Sequence, residues 1–241
     1  MPQQNIMKKK ILATVCLASA MLFACNDSKE FEQVMSTYPD GTNQLVFTMK
    51  GNGKNAVKTA ERMYYNNGQL QYEKFFSGKD VHLDGQCRYY YPTGELFASG
   101  DYSRNHVTGA DWQLLDLQGN TYLQGDYDSL TISEYSEFGT PATVVFHQGN
   151  TKFFYQFYSN CALRSSGKSI DGKREGRWLF YHPNGLLQTE ASFTGGRENG
   201  KYTVYRDNGI PYYCGIYENG RRTGEWEFYD DEGNIVQRQK F

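Results

Sequence analysis

Apolar and polar positions in this chain alternate over short runs, and the runs stop at glycine. Arg177-Trp178-Leu179-Phe180-Tyr181 is one such run, rich in aromatic side chains. Its alternation predicts a β-strand with two differently used faces. His182-Pro183-Asn184-Gly185 follows. Proline suits the second turn position and glycine takes positive φ without strain, so the tetrapeptide predicts a type I turn closed by glycine, a common hairpin connection. A return strand is expected from Leu186 to Phe193, and Gly196 to Gly200 leads into the next hairpin.

The unit recurs at a fixed period, the signature of a repeat array. Gly176, Gly200 and Gly224 are 24 residues apart, as are Tyr181, Tyr205 and Tyr229, then Gly185, Gly209 and Gly233, then Phe193, Tyr217 and Phe241. Gly85 and Gly109 keep the interval upstream. Arg206-Asp207-Asn208-Gly209, Asp230-Asp231-Glu232-Gly233 and Tyr91-Pro92-Thr93-Gly94 make the same turn. Tyr38-Pro39-Asp40-Gly41 and Tyr65-Asn66-Asn67-Gly68 keep the turn at altered spacing. Between residues 119 and 151 the pattern degrades: Gly119 keeps a turn and Tyr135 to Gly139 keeps the aromatic-to-glycine interval. Beyond it, Cys161 stands where a turn glycine belongs. About eight units with a distorted middle result.

Alternation along the strands places Trp178, Tyr202 and Trp226 in one column, with Phe180, Val204 and Phe228 on the same face. Tyr181, Tyr205 and Tyr229 point the other way. The tryptophan column is expected to stack between repeats. The tyrosine column, whose phenols can sit half-wet, is a candidate partner-binding surface, with Arg197, Arg221 and Arg222 as its basic companions. In the last unit Tyr212, Cys214 and Ile216 give way to Val236, Arg238 and Lys240. Charges on an edge strand discourage further pairing, so this unit is expected to cap the array.

Composition thins the architecture. Twenty Tyr, 15 Phe and 25 Gly stand against 6 Pro in 241 residues, and mean hydropathy is −0.71. Aromatic strands broken by glycine, with little aliphatic material, predict an all-β fold: an elongated open antiparallel sheet of tandem hairpins of about 24 residues each. A net charge of −2 offers no basic excess for nucleic acid.

The N-terminus reads as an address. Lys8, Lys9 and Lys10 precede the apolar run from Ile11 to Phe23, which is shorter than the roughly 20 residues a spanning helix needs. Met7 is the natural start of such a leader. Leu22-Phe23-Ala24-Cys25 ends the run and polar residues follow. These four residues resemble the lipobox of bacterial lipoproteins, which implies a signal peptide over 1–24, lipidation of Cys25, and a polar tether over 25–37. Asp27, Glu30 and Glu32 resemble the surface-export tags of Bacteroidetes lipoproteins. A cell-envelope location is expected, on the outer membrane and facing either the periplasm or the cell surface.

The Tyr181-x-x-x-Gly185 interval, the aromatic at 193 and the Gly-Arg/Lys-x-x-Gly turns carrying Lys173, Arg197 and Arg221 resemble the bacterial variant of the MORN repeat family. The resemblance is close over 152–241, good over 85–109 and looser over 38–84. It divides the chain into repeats at 38–118, a degenerate region at 119–151, and regular repeats with a C-terminal cap at 152–241. Sequences of this variant are often labelled antitoxin-like or immunity-like, which implies a membrane-anchored module that captures a protein partner. The alternative is a surface lipoprotein that binds glycan or cell wall, since choline- and glucan-binding repeats also combine Gly, Trp and Tyr-Tyr. Lipid contact, attributed to eukaryotic members, sits poorly with the balanced charge.

Catalytic and metal chemistry find no footing. His82, His106, His147 and His182 fall singly, without a second ligand at metal spacing. Gly51-Asn52-Gly53-Lys54 resembles a phosphate loop, but Asn55 stands where Ser or Thr is needed and Thr48 replaces the first glycine. An open sheet also lacks a deep cleft that would exclude water. No enzyme activity, metal or cofactor is expected. Cys87, Cys161 and Cys214 fall in different units, about 10 Å or more apart, beyond the roughly 4.4–6.8 Å between the Cα atoms of a disulfide.

The lipobox generates a direct expectation. Two or more acyl chains make a stable anchor, so Cys25→Ser should abolish lipid labelling and detergent partitioning. A variant that is still labelled and still partitions would refute the anchor.

Overall fold

Among the described residues, nineteen strands, joined mostly by tight turns, make two antiparallel sheets. The computed structural model describes residues 29–78, 81–135 and 141–241; the expected signal peptide, Cys25 and Gly139 lie outside them. The first sheet holds β1 (Glu30–Thr37), β2 (Asn43–Lys50), β3 (Val57–Tyr64), β4 (Leu70–Ser77), β5 (His82–Leu83), β6 (Gly85–Tyr90), β7 (Leu96–Ser103), β8 (His106–Leu115) and β9 (Thr121–Gly125). The second holds β10 (Ser129–Tyr135), β11 (Pro141–Gln148), β12 (Thr151–Phe157), β13 (Leu163–Ile170) and β14 (Lys173–Tyr181). It continues through β15 (Leu187–Thr194), β16 (Arg197–Tyr205), β17 (Pro211–Glu218), β18 (Arg221–Tyr229) and β19 (Ile235–Lys240). Strands pair in chain order, except that β4 pairs with both β6 and the short β5.

Eight four-residue turns among the described residues close on a glycine or on Cys161 with the same backbone bond: the fourth N–H donates to the first carbonyl, as Gly185 does to His182 at 2.9 Å. The expected positive φ is present at Gly185 (85°), Gly209 (84°) and Gly233 (87°). Cys161 occupies the same position at φ 66°, where a non-glycine residue costs roughly 1–2 kcal/mol.

The first residue of each turn differs between the inner turns and the last turn of each sheet. Tyr38, Tyr65 and Tyr91 donate their hydroxyls to the carbonyls of Tyr64, Tyr90 and Leu115, at 2.7, 2.7 and 2.8 Å. Tyr158 does the same to Tyr181 at 2.7 Å. His182 Nε2 reaches the Tyr205 carbonyl at 3.1 Å, and an Arg206 guanidinium nitrogen reaches Tyr229 at 2.8 Å. In each case a side chain of one repeat holds the strand end of the next. The other two turns begin with Asp116 and Asp230. A carboxylate cannot donate to a carbonyl, and each accepts from its own turn instead. Asp116 Oδ1 takes the N–H of Gln118 and Asn120, and Asp230 Oδ1 takes that of Glu232 and Asn234. Those two turns are the last of the first sheet and the last of the second.

The continuous sheet expected from the repeat pattern is therefore two sheets, divided inside the degenerate stretch. After β9 the chain crosses at Asp126-Tyr127-Asp128. Tyr127 is buried, its ring 5.0 Å from Phe146 and 5.5 Å from Phe153. The second sheet then lays one face on the first. Trp112 meets Phe146 edge-on at 6.1 Å and Phe97 meets Phe157 at 5.4 Å, in a core that also holds Leu114, Val144 and Leu163. A second correction concerns the tether: β1 takes up Glu30–Thr37 and pairs Val34 with Val46. The Tyr38 turn needs a strand on each side, and the polar composition of residues 30–37 hid one of them.

Tryptophan fixes the hairpin interiors. Trp112, Trp178 and Trp226 lie flat across Gly100, Gly167 and Gly215 of the preceding strand, where an added Cβ would fall inside the indole. The register slips at each of these glycines. An aromatic ring closes each indole edge-on: Tyr102 at 5.4 Å, Phe193 at 6.4 Å and Tyr217 at 5.2 Å. Gly215→Ala should therefore cost about 1–3 kcal/mol in urea unfolding, and Trp226→Ala about 3–5 kcal/mol. In the Trp226→Ala background the Gly215→Ala change should cost under about 0.5 kcal/mol, because the clash is gone. A neutral Gly215→Ala in the parent chain would contradict the packing.

Candidate functional site

The division into two sheets leaves a groove of about 400 Å³ where the last turn of the first sheet meets the turn row of the second. Asp116 and Tyr122 come from the β8–β9 hairpin, Cys161 and Leu163 from the β12–β13 turn, and Tyr181 and Asn184 from the end of β14 and its turn. The floor is apolar: Leu163 is buried, and the Tyr122 ring packs 6.3 Å from Tyr155 and 6.1 Å from Phe157. The rim is polar and fixed. Asn160 donates to the Pro183 carbonyl at 3.1 Å and Asn184 to the Asp207 carbonyl at 2.7 Å. Each of these amides also accepts the N–H two residues on, from Ala162 and Leu186.

Burial pushes the Tyr122 phenol up to about 12, with Asp116 adding to the shift. Tyr181 is raised too, by burial first, against Arg177 and a hydrogen bond to Ser166. Both hydroxyls therefore stay protonated at neutral pH and offer donors in a half-dry cleft. Asp116 is the one charged side chain among the described lining residues. Such a cleft suits one inserted aromatic or aliphatic side chain with a cationic neighbour for Asp116.

The residues singled out from sequence do not converge. Tyr181, Tyr205 and Tyr229 end β14, β16 and β18, whereas Arg197 begins β16 and Arg221 and Arg222 begin β18. Eight residues of strand, roughly 26 Å at about 3.3 Å each, separate the two rows. Of the six, Tyr181 reaches the groove. Tyr205 is half-buried at the turn edge. The Tyr229 hydroxyl donates to Glu227 at 2.7 Å and lies 3.5 Å from Cys214 Sγ; these two contacts, Cys214 first, keep it protonated. The Arg222 guanidinium lies 4.4 Å over Trp226, on the opposite face, while Arg197 and Arg221 are exposed. Tyr122 escaped the sequence reading because it sits where the period fails, and Asp116 stands just before that stretch. The aspartate opening a turn was their visible signal.

Cys87, Cys161 and Cys214 are thiols rather than disulfides. No group of three or more His, Cys, Asp or Glu side chains able to hold a metal ion occurs among the described residues, and no helix there is long and apolar enough to cross a membrane.

Comparison with known proteins bears on the hairpins. Residues 60–77, 83–103, 174–194 and 222–241 match the family model described as MORN repeat variant. These are the hairpins β3–β4, β6–β7, β14–β15 and β18–β19. The sheet junction lies between the second and third matched segments. No curated protein matches the chain. It is similar to part of a solved structure, "Crystal Structure of TcdB2-TccC3-TEV", at 13% identity over 87% of this chain, with a TM-score of 0.23. The match spans 11% of that structure's chain, and a likeness this low carries no argument.

Proposed function

We propose that this chain is a protein-binding module of the cell envelope, held to the membrane through Cys25, with its partner docked at the groove between the two sheets. The observation that carries the reading is the groove itself, with aromatic walls at Tyr122 and Tyr181 under a rim of fixed amides. MORN repeats commonly serve as protein- or membrane-binding modules, which supports the class. The anchored location favours a partner that acts outside the cytoplasm. An antitoxin-like or immunity-like role fits if that partner is a toxin of the envelope. A loop presenting one large apolar side chain, with Lys or Arg beside it, matches the dry floor and Asp116.

Cys161 supplies the test, because its thiol lies at the groove while Cys87 is buried, with its thiol pushed up to about 11 by burial. In a Cys214→Ser chain, a bulky maleimide should label Cys161 and fill the cleft. Partners would be captured by proximity labelling in the native envelope, then compared for the labelled and unlabelled chain. The adduct should weaken capture at least about tenfold, a loss of roughly 1.4 kcal/mol, while Tyr205→Ala with Tyr229→Ala leaves it unchanged. Normal capture by the adduct, with loss in the double tyrosine variant, would move the contact surface to the turn-edge tyrosines.

A further inference from the structure

The face of the second sheet away from the shared core bears a row of polar side chains. Ser129, His147, Lys152, Ser169 and Arg174 stand directly opposite one another across β10 to β14. Residues opposite in an antiparallel pair share a face, and strands are about 4.8 Å apart. Lys152 and Arg174 thus flank Ser169, roughly 10 Å from each other at the backbone. Both are exposed, and neither forms an ion pair among the described residues. The acids nearest in sequence are engaged elsewhere: Asp171 accepts from Asn150, Glu175 from Gly195, and Asp128 from Gly149.

Ser169, like Thr203 and the indoles of Trp112 and Trp226, carries a buried polar atom without a hydrogen-bond partner among the described residues. Ser169 is 4% exposed. A buried hydroxyl left unsatisfied is costly and rare in a folded chain. This one lines a cleft of about 330 Å³ together with Lys152, Phe154, Gln156, Arg174 and Trp178. The Arg174 guanidinium is stacked 4.6 Å over Trp178 and 5.3 Å from Phe193, which holds its fork at the rim. The Phe154 ring lies 6.0 Å from Trp178 and is half-buried. Gln156 Oε1 accepts from Ser165 at 2.8 Å, which sets the orientation of its amide. His147 is held below its usual range by burial first and Lys152 second, so it adds no charge at neutral pH.

Two cations around an unsatisfied hydroxyl, with an aromatic wall and an amide beside them, form a donor-rich cleft the size of one sugar ring. We propose that it is a binding site for an acidic saccharide residue, whose carboxylate is taken by Lys152 and Arg174 and whose ring hydroxyls meet Ser169 and Gln156. Arg suits a carboxylate through paired N–H donors, and an aromatic ring suits the apolar face of a sugar. The site lies on the opposite face from the groove and does not depend on the protein-binding reading.

The test titrates the full chain, in detergent, with glucuronate, glucose, inorganic phosphate and a short polyglutamate peptide. The reporter is the Trp178 indole N–H, which donates to the Lys168 carbonyl at 2.9 Å and is read by NMR. Glucuronate should bind with a dissociation constant of about 1 mM or tighter, and glucose should not. Lys152→Met and Arg174→Met should each weaken it at least about tenfold. Ser169→Ala should weaken it while leaving the melting temperature unchanged or higher, because the hydroxyl it removes has no partner to lose. Phosphate binding as tightly as glucuronate would overturn the saccharide assignment, as would a response confined to the acidic peptide. A Ser169→Ala chain that melts lower and binds normally would make the hydroxyl structural and overturn the site.

Discussion

A single hydrogen bond, repeated from one hairpin to the next, controls how this array is built. In six of the eight turns the first residue extends a donor to the carbonyl that ends the outgoing strand of the next repeat. Each such bond adds about 0.5–1.5 kcal/mol and joins one hairpin to the next. Tyrosine, histidine and arginine all serve, at 2.7–3.1 Å, because the geometry asks only for a long side chain with a donor at its tip. Aspartate fails on both counts, and aspartate stands at the final turn of each sheet.

From that interruption follow the other departures from a simple repeat. Once β9 has no successor on its edge, the chain crosses over Tyr127 and starts again, and the second sheet covers a face of the first. The cover buries Trp112, Phe97 and Phe146 completely. At the turn edge the two sheets leave the groove lined by Tyr122 and Tyr181. The far face of the second sheet stays uncovered, and there Lys152 and Arg174 stand exposed on either side of the buried Ser169. One packing event thus separates the molecule into a buried middle, a cleft at its rim and an open polar face.

Much of this was legible in the residues. The period, the turn glycines, the strand lengths and the opposed columns of Trp178 and Tyr181 follow from alternation and from glycine's access to positive φ. Three features did not follow. The tyrosine and arginine columns share a period, yet a period does not say which end of a strand a column occupies, and they lie at opposite ends. Gly100, Gly167 and Gly215 stand outside the turn columns, and the period did not single them out, although each sits 11 or 12 residues before a tryptophan and makes room for its ring. The two sheets are encoded by Asp116, whose meaning depends on a partner carbonyl that sequence alone does not bring near.

The most direct measurement is a set of through-space proton contacts in solution, by NMR on the full chain. Two sheets divided after Asp116 and packed face to face should give contacts between the rings of Trp112 and Phe146 and between Phe97 and Phe157. They should also give no Hα–Hα contacts between β9 and β10. A ladder of such contacts joining β9 to β10, with the Trp112–Phe146 and Phe97–Phe157 contacts missing, would show one continuous sheet and contradict the account.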